Sequence, residues 1–294
     1  MQVLENAELS RICTFKIGGK ARFLINIDQT NEISKALDIA KMHDLPVLVI
    51  GGGSNILFPD QGLKAVVIRM MTNQIKFDPA TSTLTVDAGV RWANLAQYAS
   101  DHKLYGLEPL YGIPGTLGGA LFGNAGSFGL EMKDILIKAY VYDIKTNQEI
   151  EKTFKPRDFD YRDSVFKKNT GEIITKVVIK VSQDKNQQRG EVKSFIEKRN
   201  LAQPKGLTTG SFFKNPYPEY AGNLLEKAGM KGYKIGDVGF SDRHANFVIN
   251  HNNGTAAEVK ALTLLAQAKV KEMFGIELEP EVQEITLKSA IKLA

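Results

Sequence analysis

Two glycine-dense stretches and a few charged side chains hold the chemistry that this 294-residue chain can offer. The first stretch is PVLVIGGGSNIL, Pro46 to Leu57. A short β-branched run ends in Gly51, Gly52 and Gly53, followed by Ser54 and Asn55. Glycines let backbone N–H groups converge with no Cβ in the way. Such a nest, with hydroxyl and amide donors beside it, suits a phosphate. A tight turn after a buried strand would use the same residues, so both readings stand at this point. The second stretch, Gly112 to Gly129, reads GIPGTLGGALFGNAGSFG and holds seven glycines. Linkers are seldom so apolar, and Ile113, Leu117, Leu121, Phe122 and Phe128 would have to lie exposed. Backbone packed closely on a flat ligand fits better, with Thr116 and Asn124 supplying polar contacts.

Charged candidates lie further on. Arg157 and Arg162, in KPRDFDYRDSVFK, are either anion binders or solvated loop charges. Near the C-terminus, IELEPEVQEITL places Ile276, Leu278, Pro280 and Val282 on one side of a strand and Glu277, Glu279 and Glu281 on the other. After Glu284 the apolar set moves to Ile285 and Leu287, which asks for a bulge or two strands. Glu281, next to Pro280, is the carboxylate a bulge would aim away from solvent.

Several classes are excluded or disfavoured. A third glycine for a dinucleotide GxGxxG would fall at Ile56, and Pro59 follows where a helix should run. A Walker loop is absent. The net charge of +5 comes from dispersed Lys and Arg with no aromatic series, so no nucleic acid is expected. One cysteine, Cys13, excludes a disulfide framework, and four scattered histidines give no metal-ligand spacing. No apolar run is long enough to span a membrane and the N-terminus lacks a signal-peptide core. A cytoplasmic chain with no metal and no membrane contact is the expectation.

The elements that must position these residues follow from periodicity. Arg22 to Ile27 reads as a half-buried strand. Asn31 to Met42 is a helix burying Ile33, Ala36, Leu37 and Ala40. The glycine-loop strand and Ala65 to Met70 complete a β-α-β pattern. Thr83 to Asp87 is a strand, and Val90 to Lys103 a helix with Trp92 in the core. Ile135 to Asp143 and Glu172 to Val181 are strands. The polar run Ser182 to Gly190 marks a linker. Beyond it come a helix, Glu191 to Asn200, with Val192, Phe195, Ile196 and Arg199 on one face, and a helix from Pro218 to Ala228. HANFVIN, 244 to 250, is a short buried strand. Thr255 and Glu258 form a capping box that opens a long helix with Val259, Leu262, Ala266 and Val270 on its stripe, stopped by Gly275.

Taken together, these segments resemble the UDP-N-acetylenolpyruvoylglucosamine reductase family over nearly the whole chain. TFKIGG, VIGGGSNILF, GIPGTLGGALFGNAGSFG, YRDSVFK, GSFFKNP, HANF and LEPEV occur in the family's order. With only 48 residues between Arg162 and Ser211, the chain resembles the shorter subtype, without an extra tyrosine-bearing loop. The resemblance implies an α+β architecture. Residues 1–183 would form an FAD-binding lobe of two subdomains, of the vanillyl-alcohol-oxidase (PCMH) type. Residues 184–294 would form a smaller α/β substrate lobe whose last strand returns to the first. It implies non-covalent FAD, held by Gly51, Gly52, Gly53, Ser54 and Asn55 at its pyrophosphate and by Gly115, Thr116, Gly118, Gly119 and Asn124. NADPH would be the hydride source and a small molecule, the enolpyruvyl ether of UDP-N-acetylglucosamine, the acceptor. Hydride would reach C3 of the enolpyruvyl group, and C2 would then need a proton. Arg162 and Glu281 would stabilise the charge developing on the carboxylate, Ser211 would protonate C2, and Arg199, Lys214 and Asn215 would hold the uridine diphosphate. GSFFKNP and LEPEV argue against an FAD-linked oxidase of small alcohols on the same fold. The set Arg162, Ser211 and Glu281 argues against a non-catalytic nucleotide-sugar binder.

Overall fold

The computed structural model describes residues 1–168 and 171–293. Three sheets carry the fold. In the first, Lys20–Ile27, Leu63–Met70 and Val47–Ile50 run parallel, and Gln2–Glu8 adds an antiparallel edge. The helix Ile33–Met42 covers one face with Ile33, Ala36, Leu37 and Ala40, all buried as the spacing predicts. The expected half-buried strand at Arg22 to Ile27 is buried on both faces, because Leu24 also packs inward. A parallel sheet covered on two sides requires this.

The second sheet is antiparallel throughout, ordered Gln148–Lys152, Leu136–Asp143, Glu172–Lys180, Thr83–Asp87 and Ile75–Asp78. The helix Trp92–Asp101 packs on it with Trp92 fully buried. The second glycine stretch is not a loop throughout. It holds a six-residue helix, Leu117–Phe122, capped by Thr116 Oγ1. Leu117 and Leu121 point into this sheet's core rather than toward a ligand, so part of the stretch's apolar character is ordinary packing.

The third sheet is ordered Leu207–Ser211, Phe247–Asn250, Val238–Phe240 and Lys234–Ile235. The long helix Ala256–Phe274 lies on it. Val259, Leu262, Ala266 and Val270 are its buried stripe, Thr255 and Glu258 form the capping box, and Gly275 ends it in a left-handed conformation. Its core is continuous with the outer face of the first sheet, where Leu24, Leu48, Ile50 and Val67 meet Phe212, Phe213, Leu225 and Val259.

Two expectations are corrected. Residues 276–282 do not form a strand: Gln283–Glu284 pairs parallel to Ile56–Leu57, and Pro280 makes only an isolated antiparallel bridge to Phe213. Pro280 has no N–H for a ladder, and its neighbours bond to another segment instead: Lys214 N–H donates to the Glu279 carbonyl and Glu281 N–H to the Phe212 carbonyl. Ile285 is buried but Leu287 is 49% exposed. The helix Val192–Ala202 forms as expected, with Val192, Phe195 and Arg199 half-buried and Ile196 41% exposed. The later helix begins at Ala221, whose N–H is accepted by Asn215 Oδ1, rather than at Pro218.

The two glycine stretches touch through their backbones. A Cβ on Gly52 would lie 2.6 Å from Gly115 Cα, and one on Gly115 would lie 2.6 Å from Ser54 Oγ. Gly52→Ala is therefore expected to cost about 1–3 kcal/mol of stability, since neither backbone can retreat. At Gly119, inside the short helix, a Cβ would meet only Thr116 Oγ1, at 3.5 Å. Gly119→Ala is expected to leave stability unchanged or raise it by about 0.5–1 kcal/mol. Urea melts of the two flavin-free variants check this, and equal losses would contradict it.

Candidate active site

A cleft of about 730 Å³ runs between the glycine stretches and the third sheet. Gly51 to Asn55, Gly115, Thr116, Gly118, Gly119, Arg162, Arg199, Ser211 and Glu281 all line it. Four of the sequence candidates do not. Asn124 is buried, with its amide spent on Glu131, the Asp160 carbonyl and the Lys133 N–H, so it builds the wall behind the cleft. Lys214 pairs with Glu279 at 2.6 Å, and Asn215 caps the helix that follows it. Arg157 is exposed in a short turn away from the cleft.

At the first loop the donors are main-chain groups. Among the described residues, no hydrogen bond uses the N–H of Gly52, Gly53, Ser54 or Asn55. Gly53, at φ +65°, lets the loop turn back on itself. The side chains of Ser54 and Asn55 are committed elsewhere. Ser54 Oγ donates to the Pro114 carbonyl at 3.3 Å, and Asn55 Nδ2 to the Glu281 carbonyl at 3.1 Å. At the second stretch the N–H groups of Leu117 and Gly118 are taken by the carbonyls of Val90 and Ala88. A Cβ on Gly118 would press within 2.7 Å of Ala88 Cβ, so this glycine serves close packing. Two buried polar atoms on the cleft wall, Arg199 Nη2 and Thr209 Oγ1, have no partner. Free main-chain donors on a glycine loop with no room for side chains fit a large phosphate-bearing cofactor such as FAD.

Ser211 owes its place to a bulge. The strand Leu207–Ser211 pairs Thr208 with Ile249 and Ser211 with Phe247, so Thr209 and Gly210 together face Val248. Gly210 takes φ +87°, and Thr208 Oγ1 accepts its N–H. A bulge re-aims the next side chain, and here that side chain is Ser211. Its signal in sequence was the glycine just before the serine.

Arg162 sits in the tight turn between Phe159–Asp160 and Asp163–Ser164. Its Nε lies 3.1 Å from Glu281 Oε1, Nη2 donates to the Gly126 carbonyl at 2.9 Å, and Nη1 is 3.7 Å from Glu131. Burial pushes the Glu281 carboxyl above its ordinary range, against the opposing pull of Arg162, Lys167 and Lys214. Arg199 donates through Nε to the Tyr111 carbonyl and lies over the Phe128 ring. Lys167, Thr209 and Gln203 also line the cleft and were not singled out by sequence reasoning. Lys167 stands in YRDSVFK, five residues after Arg162, and that motif was its one signal.

An arginine–glutamate pair, a serine and a main-chain anion cradle that share one cleft can bind a phosphorylated cofactor and polarise a carboxylate. Comparison with known proteins agrees. The family described as FAD binding domain matches residues 21–147, and that described as UDP-N-acetylenolpyruvoylglucosamine reductase, C-terminal domain, matches residues 203–285. The UDP-N-acetylenolpyruvoylglucosamine reductase of Bacillus pumilus is 37% identical, over 97% of this chain and 94% of that protein. Its namesake from Aquifex aeolicus is 36% identical over 97% and 96%. The crystal structure of the Thermus caldophilus reductase superposes with a TM-score of 0.80 at 30% identity, covering 97% of this chain and 98% of that one. The α+β FAD-binding fold follows, and the chain belongs to the UDP-N-acetylenolpyruvoylglucosamine reductase family.

Proposed function

We propose that this chain reduces the enolpyruvyl ether of UDP-N-acetylglucosamine to UDP-N-acetylmuramate with NADPH, as a cytoplasmic step of peptidoglycan precursor synthesis. The observation that carries this reading is the Arg162–Glu281 pair set in the same cleft as Ser211 and the glycine cradle. Among the described residues no helix is long and apolar enough to cross a membrane.

The N–H groups of Gly52 to Asn55, with Gly115 beside them, would hold FAD, which supplies hydride transfer when bound. The protein's own residues then have two tasks. Arg162 binds the substrate carboxylate and stabilises the charge that gathers there as C3 is reduced. Glu281 assists in its acid form, donating a hydrogen bond to the same carboxylate, since an ionised neighbour would repel it. Burial favours that acid form. Ser211 holds the proton that C2 receives. Serine is a weak acid, but a carbanion-like carbon is a strong base, and placement outweighs pKa. Arg199, with an unpaired buried Nη2, is suited to a phosphate of the nucleotide. Lys214 and Asn215 lie outside the cleft and would need the substrate's uridine end to extend past it.

The test is anaerobic stopped-flow of the two flavin half-reactions. Ser211→Ala is expected to keep bleaching by NADPH while reoxidation by the enolpyruvyl nucleotide slows by about 10²–10⁴-fold. Equal slowing of both would remove the proton-donor role. A protein that consumes oxygen with small alcohols but ignores the nucleotide would overturn the whole reading.

A pH series separates the second role. With Glu281 acting as an acid, reoxidation by substrate falls as pH rises through its elevated pKa. Glu281→Gln keeps a donor that does not titrate, so that limb should vanish while activity persists. A limb unchanged in Glu281→Gln would assign it to another group.

A further inference from the structure

Arg162 has an unusual backbone for its residue type. It occupies the second position of a two-residue turn, at φ +57°, where glycine or asparagine is the usual occupant. A non-glycine residue persists there only when its surroundings hold it. Its side chain is tied at Gly126 and Glu281, bonds that orient the guanidinium, while the Asp160–Asp163 pair closes the turn on either side. The main-chain contact comes from Lys167, whose Nζ donates to the Arg162 carbonyl at 2.5 Å.

Lys167 ends a short turn, Val165–Lys167, directly behind the arginine. Its side chain is mostly buried and lines the cleft, and Asp163 is its sole ion-pair partner among the described residues, at 3.9 Å. A buried ammonium with so distant a counter-ion is costly unless strongly hydrogen-bonded. The carbonyl of Arg162 supplies that bond.

We propose that Lys167 is a positioning residue for substrate reduction: its ammonium clamps the Arg162 carbonyl, holds the left-handed turn and so keeps the guanidinium against Glu281. This rests on the function proposed above. The charges around Glu281 are Arg162, Lys167 and Lys214, with Glu131 on the far side of Arg162, Asp163 beside Lys167 and Glu279 beside Lys214. Lys167 is thus one of three cations that hold the Glu281 proton less tightly, and its loss leaves Glu281 protonated to higher pH.

Lys167→Met is the test, with Lys167→Gln as a second variant should the first fold poorly. The reoxidation half-reaction is expected to lose about tenfold more than flavin reduction by NADPH. Its alkaline limb should move upward by about one pH unit. Lys167→Arg, which keeps the charge and a donor, should restore the limb and part of the rate. A crystal structure of Lys167→Met should show Arg162 out of the left-handed region and its guanidinium off Glu281. Equal losses in both half-reactions, an unmoved limb, or an unchanged Arg162 turn in the crystal would each overturn the clamp. If the wild-type protein does not reduce the enolpyruvyl nucleotide at all, the function proposed above fails instead, and the crystal alone then decides for or against the clamp.

Discussion

The structure depends on one close approach: the backbone of Gly51 and Gly52 lying against Gly115 and Thr116, with Gly53 set on Ile12 and Cys13. The first segment follows the strand Val47–Ile50 of the first sheet, the second leads into the helix Leu117–Phe122 on the antiparallel sheet's core, and a Cβ on Gly52 or Gly115 would not fit between them. The contact leaves the main-chain donors of the first loop facing the cleft while the second loop's donors turn back to Val90 and Ala88. One loop therefore offers hydrogen bonds and the other offers a wall. The division of labour comes from the capped helix Leu117–Phe122, which consumes its own polar groups.

The Arg162–Glu281 part of the cleft is built by different means. Nothing there is glycine packing; it is charge held by geometry. Arg162 is fixed in a strained turn, Ser211 is turned inward by a bulge, and Glu281 is carried on an irregular segment pinned to Phe212 and Lys214. Each device departs from regular secondary structure, as is common where a backbone must aim a side chain. The regular parts, above all the long helix Ala256–Phe274 and the sheets beneath it, supply rigidity.

The regular elements were legible in the sequence because their signals are local. Val259, Leu262, Ala266 and Val270 declare a helical stripe, Thr255 and Glu258 its start, and Gly275 its end. Trp92 and the stripe from Ile33 to Ala40 declare burial in the same way. Polar partners are another matter. Ser54, Asn55 and Asn124 have the right chemistry for a ligand, yet each is spent on a carbonyl or carboxylate distant in sequence. The alternation from Ile276 to Val282 reads as a strand because side-chain polarity cannot reveal that the backbone bonds lie with residues 212–214. Lys167 escaped notice because its partner is a carbonyl, which leaves no mark on sequence.

The bond from Asn55 to the Glu281 carbonyl spans 226 positions, and the pairing of Ile56–Leu57 with Gln283–Glu284 joins the same distant segments. A chain emerging from the ribosome has all four strands of the first sheet once residue 70 is out, while the flank that Gln283–Glu284 fills is still to be made. Glu281 and its segment come into place only after every intervening element has been made. Contacts of such separation are slow to close and are won late. A partly synthesised chain thus has the beginnings of a cofactor cradle but no carboxylate beside it, so it cannot turn over substrate before its last strand docks.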